Sequence, residues 1–315
     1  MLVTGGAGFI GSHLTDKLIQ QGNEVVVVDN LSTGRKENLN RKAKFYKLDI
    51  RSPRLVKVFK KARPEVVFHL AGHVNVRESV NNPVADAEIN IIGSLNVLEN
   101  CRKFGTRKIV FASSGGAVYG GIGAIPAIEE QKENPESPYG AAKLAIEKYL
   151  YFYEKNFGIT YVALRLANVY GPRQNPKKEA GVTAIFCYKM LQNQDIIING
   201  DGKQTRDFVF IDDVVKAFLL AVKEGKRGVF NIGTGKETSV RELFASIKKL
   251  TGFSGKILYG PAKKGEQSRS CLDYSKAERK LNWRPEYTLE EGLRKTVEWF
   301  NSSHFKKRIR KARNN

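Results

Sequence analysis

A parallel, doubly wound α/β sheet followed by a smaller lobe is the fold this sequence predicts. Three observations carry the prediction. Short apolar runs alternate with segments of helical period through the first half. A glycine-rich turn joins the first run to the first helix. The alternation loses its regularity after Gly171. Runs that are apolar at nearly every position suit strands covered on both faces. Strand, helix and strand in repetition imply right-handed crossovers and a parallel sheet.

The elements follow in order. "MLVTGG" enters a buried type of strand at once, which leaves no room for a signal peptide. "EVVVVD" (24–29), "AKFYKLDI" (43–50), "EVVFHLAG" (65–72), "KIVFASS" (108–114) and "TYVALRLANVYG" (160–171) read as strands. Between them, Leu14 and Leu18 stack on one helix face after Ile10. Ser52 followed by Pro53 pairs a preferred cap with a preferred first-turn residue, so a helix is expected to open there. The stretch 84–104 has the length and spacing of another helix. Beyond Gly171, "GPRQNPKKEAG" is loop chemistry, and Ser239 with Glu242 and Thr288 with Glu291 make capping boxes for two later helices. The expected division is a dinucleotide-binding domain over 1–170 and a substrate lobe over 171–303, with part of 204–235 returning to the main sheet. A basic tail at 304–315 is expected to be disordered.

Bulk properties narrow the function classes. No apolar run approaches a membrane span. Cys101, Cys187 and Cys271 are odd in number and fit no metal or disulfide spacing, which points to a reducing cytoplasm. The formal charge is +21, and removing the six Lys and Arg of the last twelve residues would still leave +15. A positive surface spread along the chain suits an anionic substrate. Nucleic-acid binding is the sharper alternative, but no nucleic-acid module is recognisable.

The chemistry begins at "VTGGAGFIGSHL". Gly5, Gly8 and Gly11 are spaced G-x-x-G-x-x-G, and Gly6, Gly8 and Gly11 also satisfy G-x-G-x-x-G. Glycine there permits the tight turn and the close approach of backbone N–H groups to a pyrophosphate, favoured by the helix N-terminus. Asp29 ends the next strand, where it can accept from adenosine ribose hydroxyls and repel a 2′-phosphate. NAD is therefore expected over NADP, with Arg35 and Lys36 the residues that could reverse the preference. The sheet is then of the Rossmann type. Later, "ESPYGAAKLAIEK" places Tyr139 and Lys143 one turn apart on a helix starting near Pro138.

Taken together, "TGGAGFIG", "HLAG", "FASSGGAVYG", "SPYGAAK", "RLANVYGPR" and "GDGKQTRDFVFIDD" resemble the extended short-chain dehydrogenase/reductase family, within it the sugar-nucleotide epimerases, from residue 1 to about 300. That resemblance implies a catalytic set of Tyr139, Lys143 and Ser114, with Ser113 the competing hydroxyl. Lys143 and the positive nicotinamide would lower the Tyr139 pKa so that it can act as a base. Lys143 would also hold the nicotinamide ribose, and Ser114 the reacting sugar hydroxyl. The implied reaction is epimerisation at C4 of a UDP-hexose. Tyr139 takes the O4 proton while NAD takes a hydride. The resulting 4-keto sugar turns over and is reduced on its other face. UDP-glucose and UDP-galactose are the expected pair. UDP-glucuronate epimerisation or decarboxylation is the alternative on the same fold, and a non-catalytic NAD- or RNA-binding protein the alternative of a different class.

Further roles come only from the resemblance. Phe9 and Ile10 in the turn, Asn30 beside Asp29, Asp49 and Ile50 near adenine, Leu70, Ala71 and Gly72 along the diphosphate and ribose, and Asn90 on a helix are implied as cofactor contacts. Asn168, Arg206, Arg269 and Ser270 are implied on the substrate side, with Lys263 a rival to Arg269. His73 follows the cofactor strand and could lie near the phosphates. Dehydratases of this family carry an Asp-Glu pair after the catalytic hydroxyl. Here Gly115 and Gly116 stand there, which argues against elimination. Ser270 falls where some epimerases carry a large Tyr, so room for an N-acetyl group is expected. Relatives often form homodimers through a four-helix bundle, for which 84–104 and 139–157 would be the helices. No metal is expected.

Overall fold

The computed structural model describes residues 1–121, 123–177, 181–262 and 267–302. β1 (Leu2–Thr4), α1 (Phe9–Gln20) and β2 (Val26–Asp29) form the first crossover, followed by β3 (Lys44–Lys47), α2 (Leu55–Ala62) and β4 (Val66–His69). A helical layer comes next: α3 (Val76–Asn81), α4 (Pro83–Ala87), a π-helical turn over Glu88–Ile92, and α5 (Gly93–Phe104). Then come β5 (Lys108–Ser114), α6 (Gly115–Tyr119), α7 (Pro138–Phe157) and β6 (Thr160–Leu166). The remainder is β7 (Asn168–Tyr170), α8 (Val182–Met190), β8 (Ile196–Asn199), β9 (Thr205–Arg206), β10 (Phe208–Phe210), α9 (Ile211–Ala221), β11 (Gly228–Ile232), β12 (Thr238–Ser239), α10 (Val240–Thr251), β13 (Ile257–Gly260), α11 (Ser275–Leu281) and α12 (Leu289–Asn301).

Seven strands make one parallel sheet in the order β11-β6-β5-β4-β1-β2-β3. The order reverses at β1, so the crevice beyond the C-terminal ends of β1 and β4 is where a doubly wound sheet binds a nucleotide. Alternate residues of each strand feed two separate cores. Val3, Val27, Phe68 and Val110 join one, while Leu2, Val28, Val67 and Ile109 join the other. Burial on both faces is why these strands are apolar throughout. β11 brings residues 228–232 back to this sheet beside β6. The smaller sheets are two-stranded: β7 with β10, β9 with β12, and β8 with β13. Both expected capping boxes are formed, at Ser239 and Thr288.

Three expectations need correction. Ser52 and Pro53 do not open a helix. They form a turn, in which Ser52 Oγ accepts from Arg54 N at 3.3 Å, and α2 starts at Leu55. The run 160–171 is not one strand. β11 ends at Ile232, whose carbonyl takes Ala167 N, and from Asn168 the chain pairs with β10 instead. The helix expected over 84–104 is interrupted by the π-helical turn, which contains Asn90; such turns recur at functional sites. No helix among the described residues is long and apolar enough to cross a membrane. Lys263 and the tail 304–315 lie outside the described residues.

Candidate active site

The glycine turn is tight enough to forbid side chains. A Cβ at Gly5, where φ is +72°, would sit 2.8 Å from Ala71 N, and one at Gly11 would sit 2.2 Å from Gly5 O. The turn therefore abuts the end of β4 at Leu70–Ala71, whose N–H groups each reach Thr4 Oγ1 at 3.2 Å. Helix α1 starts at Phe9 with Gly8 as its N-cap, and no side chain caps it. Its first N–H groups, at Phe9, Ile10 and Gly11, are thus left to an anion. Asp29 is buried at the end of β2 and accepts from Ala7 N at 3.0 Å and Leu31 N at 2.7 Å. Burial raises its pKa, and these two N–H donors oppose the rise. The Arg35 guanidinium is directed to Asn175 Oδ1 at 3.3 Å, and Lys36 is exposed. Uncapped donors on one side and a carboxylate on the other fit a dinucleotide with free ribose hydroxyls. At the end of β3, Asp49 is held by Arg51 at 2.9 and 3.0 Å and by Asn30 at 2.9 Å, which pushes its pKa far down. Next to it, the Ile50 carbonyl accepts from Asn96 Nδ2 at 2.6 Å.

Helix α7 opens on Ser137, whose side chain accepts from Gly140 N at 3.1 Å, with Pro138 in the first turn. A Cβ at Gly140 would lie 2.3 Å from Ala117 O, so glycine lets α7 meet α6. That contact sets Tyr139 against the end of β5, with its hydroxyl near Ser114. Lys143 is buried, donates to Ala112 O at 2.9 Å and lies 5.6 Å from the Tyr139 ring centre. Burial pushes the Tyr139 phenol up to about 12, against the Ser114 hydrogen bond. Burial also pushes the Lys143 ammonium down to about 8, while Asp86 and Glu147 pull it up. The lowered phenol pKa expected above is therefore not a property of the protein groups alone, because desolvation of a deeply placed phenol outweighs them. Ser113, the competing hydroxyl, is turned away: it donates to Glu147 Oε1 at 2.5 Å, and Glu147 is paired with the buried Arg165 at 2.7 Å.

Asn90 reaches over the turn after β4. Its Oδ1 accepts from His73 N at 2.8 Å, and its Nδ2 donates to His73 O at 3.1 Å and Asp86 Oδ1 at 3.0 Å. A Cβ at Gly72 would lie 2.7 Å from Asn90 Oδ1 and 3.6 Å from Lys143 Nζ, so that position cannot carry a side chain. The His73 ring lies between Asp86 at 2.9 Å and Glu78 at 3.1 Å. Sequence reasoning missed Asp86 and also the neutral, buried His69, which bridges Thr4 and Ser94 at 2.8 Å each. Burial first, and the Lys143 charge second, lower the pKa of His69 to about 3.

On the substrate side, β9 and β10 bring scattered residues together. Asn168 is exposed, and its N–H donates to Asp207 O at 2.8 Å. Asp207 N in turn donates to Ser270 O at 2.9 Å, so Asn168, Arg206 and Ser270 lie on neighbouring stretches of chain. Asp207 itself is buried and accepts from Thr234, Gly235 and Leu272, tying two loops to one carboxylate. Arg206 Nη1 donates to Thr205 O at 2.8 Å. Arg269 is ion-paired with Glu237, which also accepts from Thr205. Ser270 faces the end of β5, with its Oγ 3.0 Å from where a Gly116 Cβ would lie. A Cβ at Gly115 would come within 2.5 Å of Leu272, so no acid can replace it without repacking.

The model of the NAD dependent epimerase/dehydratase family matches residues 1–233. Among solved structures, a UDP-glucose 4-epimerase with UDP-glucose from Thermotoga maritima is 50% identical, with a TM-score of 0.94, over 98% of this chain and 99% of that one. A Thermus thermophilus UDP-glucose 4-epimerase in complex with NAD is 41% identical, with a TM-score of 0.92, over 96% and 99%. A UDP-N-acetylglucosamine 4-epimerase from Methanobrevibacter ruminantium, in complex with UDP-N-acetylmuramic acid, is 36% identical, with a TM-score of 0.89, over 95% and 97%. The glycine turn and the Ser114–Tyr139–Lys143 face sit at the crevice this sheet order provides, and the likeness runs nearly end to end: the chain belongs to the NAD dependent epimerase/dehydratase family.

Proposed function

We propose that this protein interconverts UDP-glucose and UDP-galactose by NAD-dependent epimerisation at C4. The observation that carries the reading is the buried Tyr139 with Lys143 one turn on, set against the end of β5 at Ser114, together with the uncapped start of α1. The named activity of a relative sharing half its residues supports it. Gly5, Gly8 and Gly11 with the first N–H groups of α1 would hold the diphosphate, Asp29 the adenosine ribose, and Lys143 the nicotinamide ribose. When bound, NAD⁺ supplies a reversible acceptor for the hydrogen at C4. Ser114 orients the O4 hydroxyl, and Tyr139 removes its proton and later returns it. A phenol near 12 is a weak base at neutral pH, so the positive charges of Lys143 and the cofactor must both bear on it. With glycine at 115 and 116, no side chain there is available for elimination. Asn168 and Arg206 would hold the sugar diphosphate, as a guanidinium does well.

The small Ser270 beside Gly116 leaves room on the sugar's C2 side, so the N-acetylated pair is proposed as a second substrate. An assay coupled to product formation decides both points. Tyr139→Phe should lower kcat on UDP-galactose about 10²–10⁴-fold. Wild-type activity in the variant would overturn the mechanism, and no turnover of UDP-GalNAc by an enzyme active on UDP-galactose would overturn the wider specificity. We also infer a homodimer, from exposed Val80, Val84, Ile92, Tyr151 and Phe152 on α3–α5 and α7.

A further inference from the structure

Lys143 needs a counter-charge, and the residue that supplies it is not among the expected catalytic set. Its ammonium is buried, donates to the Ala112 carbonyl and lies 4.7 Å from the centre of the Phe111 ring. Among the described residues no carboxylate lies within ion-pair distance of it. The charged and titratable groups that face it come from three elements. On α7 itself, Tyr139 is a neutral phenol, and Glu147, which also pulls the Lys143 pKa up after Asp86, is engaged by Arg165. On β4, His69 is buried and neutral. On α4 stands Asp86, buried with 1% exposure. One Asp86 oxygen accepts from Asn90 and contacts His73; the other is buried with no hydrogen-bond partner. Asn90 carries the geometry across, because the space beside Gly72 opens onto both Asn90 Oδ1 and Lys143 Nζ.

We propose that Asp86 is a positioning residue for Lys143: its fixed, half-satisfied carboxylate is the counter-charge that keeps the ammonium protonated and aimed at the catalytic face. His73 sets the strength of that charge. Its ring is shared by Asp86 and by Glu78 on α3. One imidazolium between two carboxylates leaves the cluster negative, and loss of the ring's proton makes it more so. Burial pulls the His73 pKa down, but the two carboxylates outweigh this and raise it. Asp86 acts on Tyr139 as well, in the direction that resists phenolate. The cluster therefore moves both ends of the working pH range together.

This rests on the epimerase reading above, and the test separates the two. In Asp86→Asn, an isosteric change, the acid and alkaline limbs of the kcat profile should both move to lower pH, each by about one unit. In His73→Gln both limbs should move to higher pH. Independently of turnover, the 13Cε lysine resonance of Lys143, assigned by its loss in Lys143→Arg, should titrate at lower pH in Asp86→Asn. It should titrate at higher pH in His73→Gln. Thermal unfolding of each variant shows whether it folds; should Asp86→Asn fail to fold, the His73→Gln arm decides alone. Limbs and lysine midpoint unchanged from wild type, with kcat merely reduced, would mean that Asp86 only packs the turn, and would overturn the proposal. Lysine midpoints that shift as stated in a protein inactive on UDP-sugars would keep the proposal and sink the epimerase reading instead.

Discussion

Tyr139 and Lys143 are each in a protonation state that burial opposes or exaggerates, and the two effects have opposite consequences for stability. The folded-state pKa of Lys143 is about 8, below its ordinary value of 10.5. Below pH 8 both states hold the proton, and the folded chain bears the cost of a buried charge. That cost fades as pH rises from about 8 to 10.5, because there the unfolded chain binds more protons. Lys143→Met should therefore be stabilising at pH 7, by on the order of 2 kcal/mol, while removing activity. The gain should vanish by about pH 10.5. Thermal melts of the dinucleotide-free protein across this range check it, and a variant less stable than wild type at pH 7 would refute the account. The residue spacing of this pair was legible in the chain; the direction of the Tyr139 shift was not, because it depends on how deeply α7 is set.

Strand β6 and helix α7 are joined by a buried ion network invisible to local pattern. Arg165 reaches Glu147 at 2.7 Å and Glu133 at 2.8 Å, and its guanidinium lies 4.8 Å from the Tyr119 ring centre. The network fixes the helix that carries Tyr139 and occupies Ser113, leaving Ser114 to the site. Replacing Arg165 with Met would strand Glu147 as a buried, unpaired carboxylate, a loss of about 3–5 kcal/mol. Denaturant unfolding should show it as a lower midpoint with an unchanged slope. At this scale the continuous apolar runs foretold the parallel strands. The break at Ala167 was hidden because both halves of 160–171 are equally apolar. The π-helical turn was hidden because its residues keep a helical pattern.

For the whole molecule, the helical layer α3–α5 and α7 covers one face of the sheet yet leaves apolar side chains outside, with Val84 72% and Tyr151 54% exposed. These residues are the surface assigned to the proposed homodimer. Phe152→Glu with Tyr149→Glu should convert a dimer into a monomer in light scattering, with the fold retained by circular dichroism. A wild-type protein that is already monomeric at micromolar concentration would remove the dimer from the account. Asp207 gathers the loop at residues 234 and 235 and the segment at Leu272 on one carboxylate. No window of sequence contains that junction.

By itself the sequence determined the sheet class, the glycine turn and the one-turn spacing of Tyr139 and Lys143. Each is written in short-range pattern: periodicity, glycine spacing, or two residues one helical turn apart. Only the tertiary structure decided that Ser113 is turned to Glu147, that Arg269 is paired with Glu237, and that His73 is paired with the buried Asp86. Those depend on residues far apart in the chain that share a buried space of low polarity. There, charge and desolvation act through distance rather than through order along the sequence.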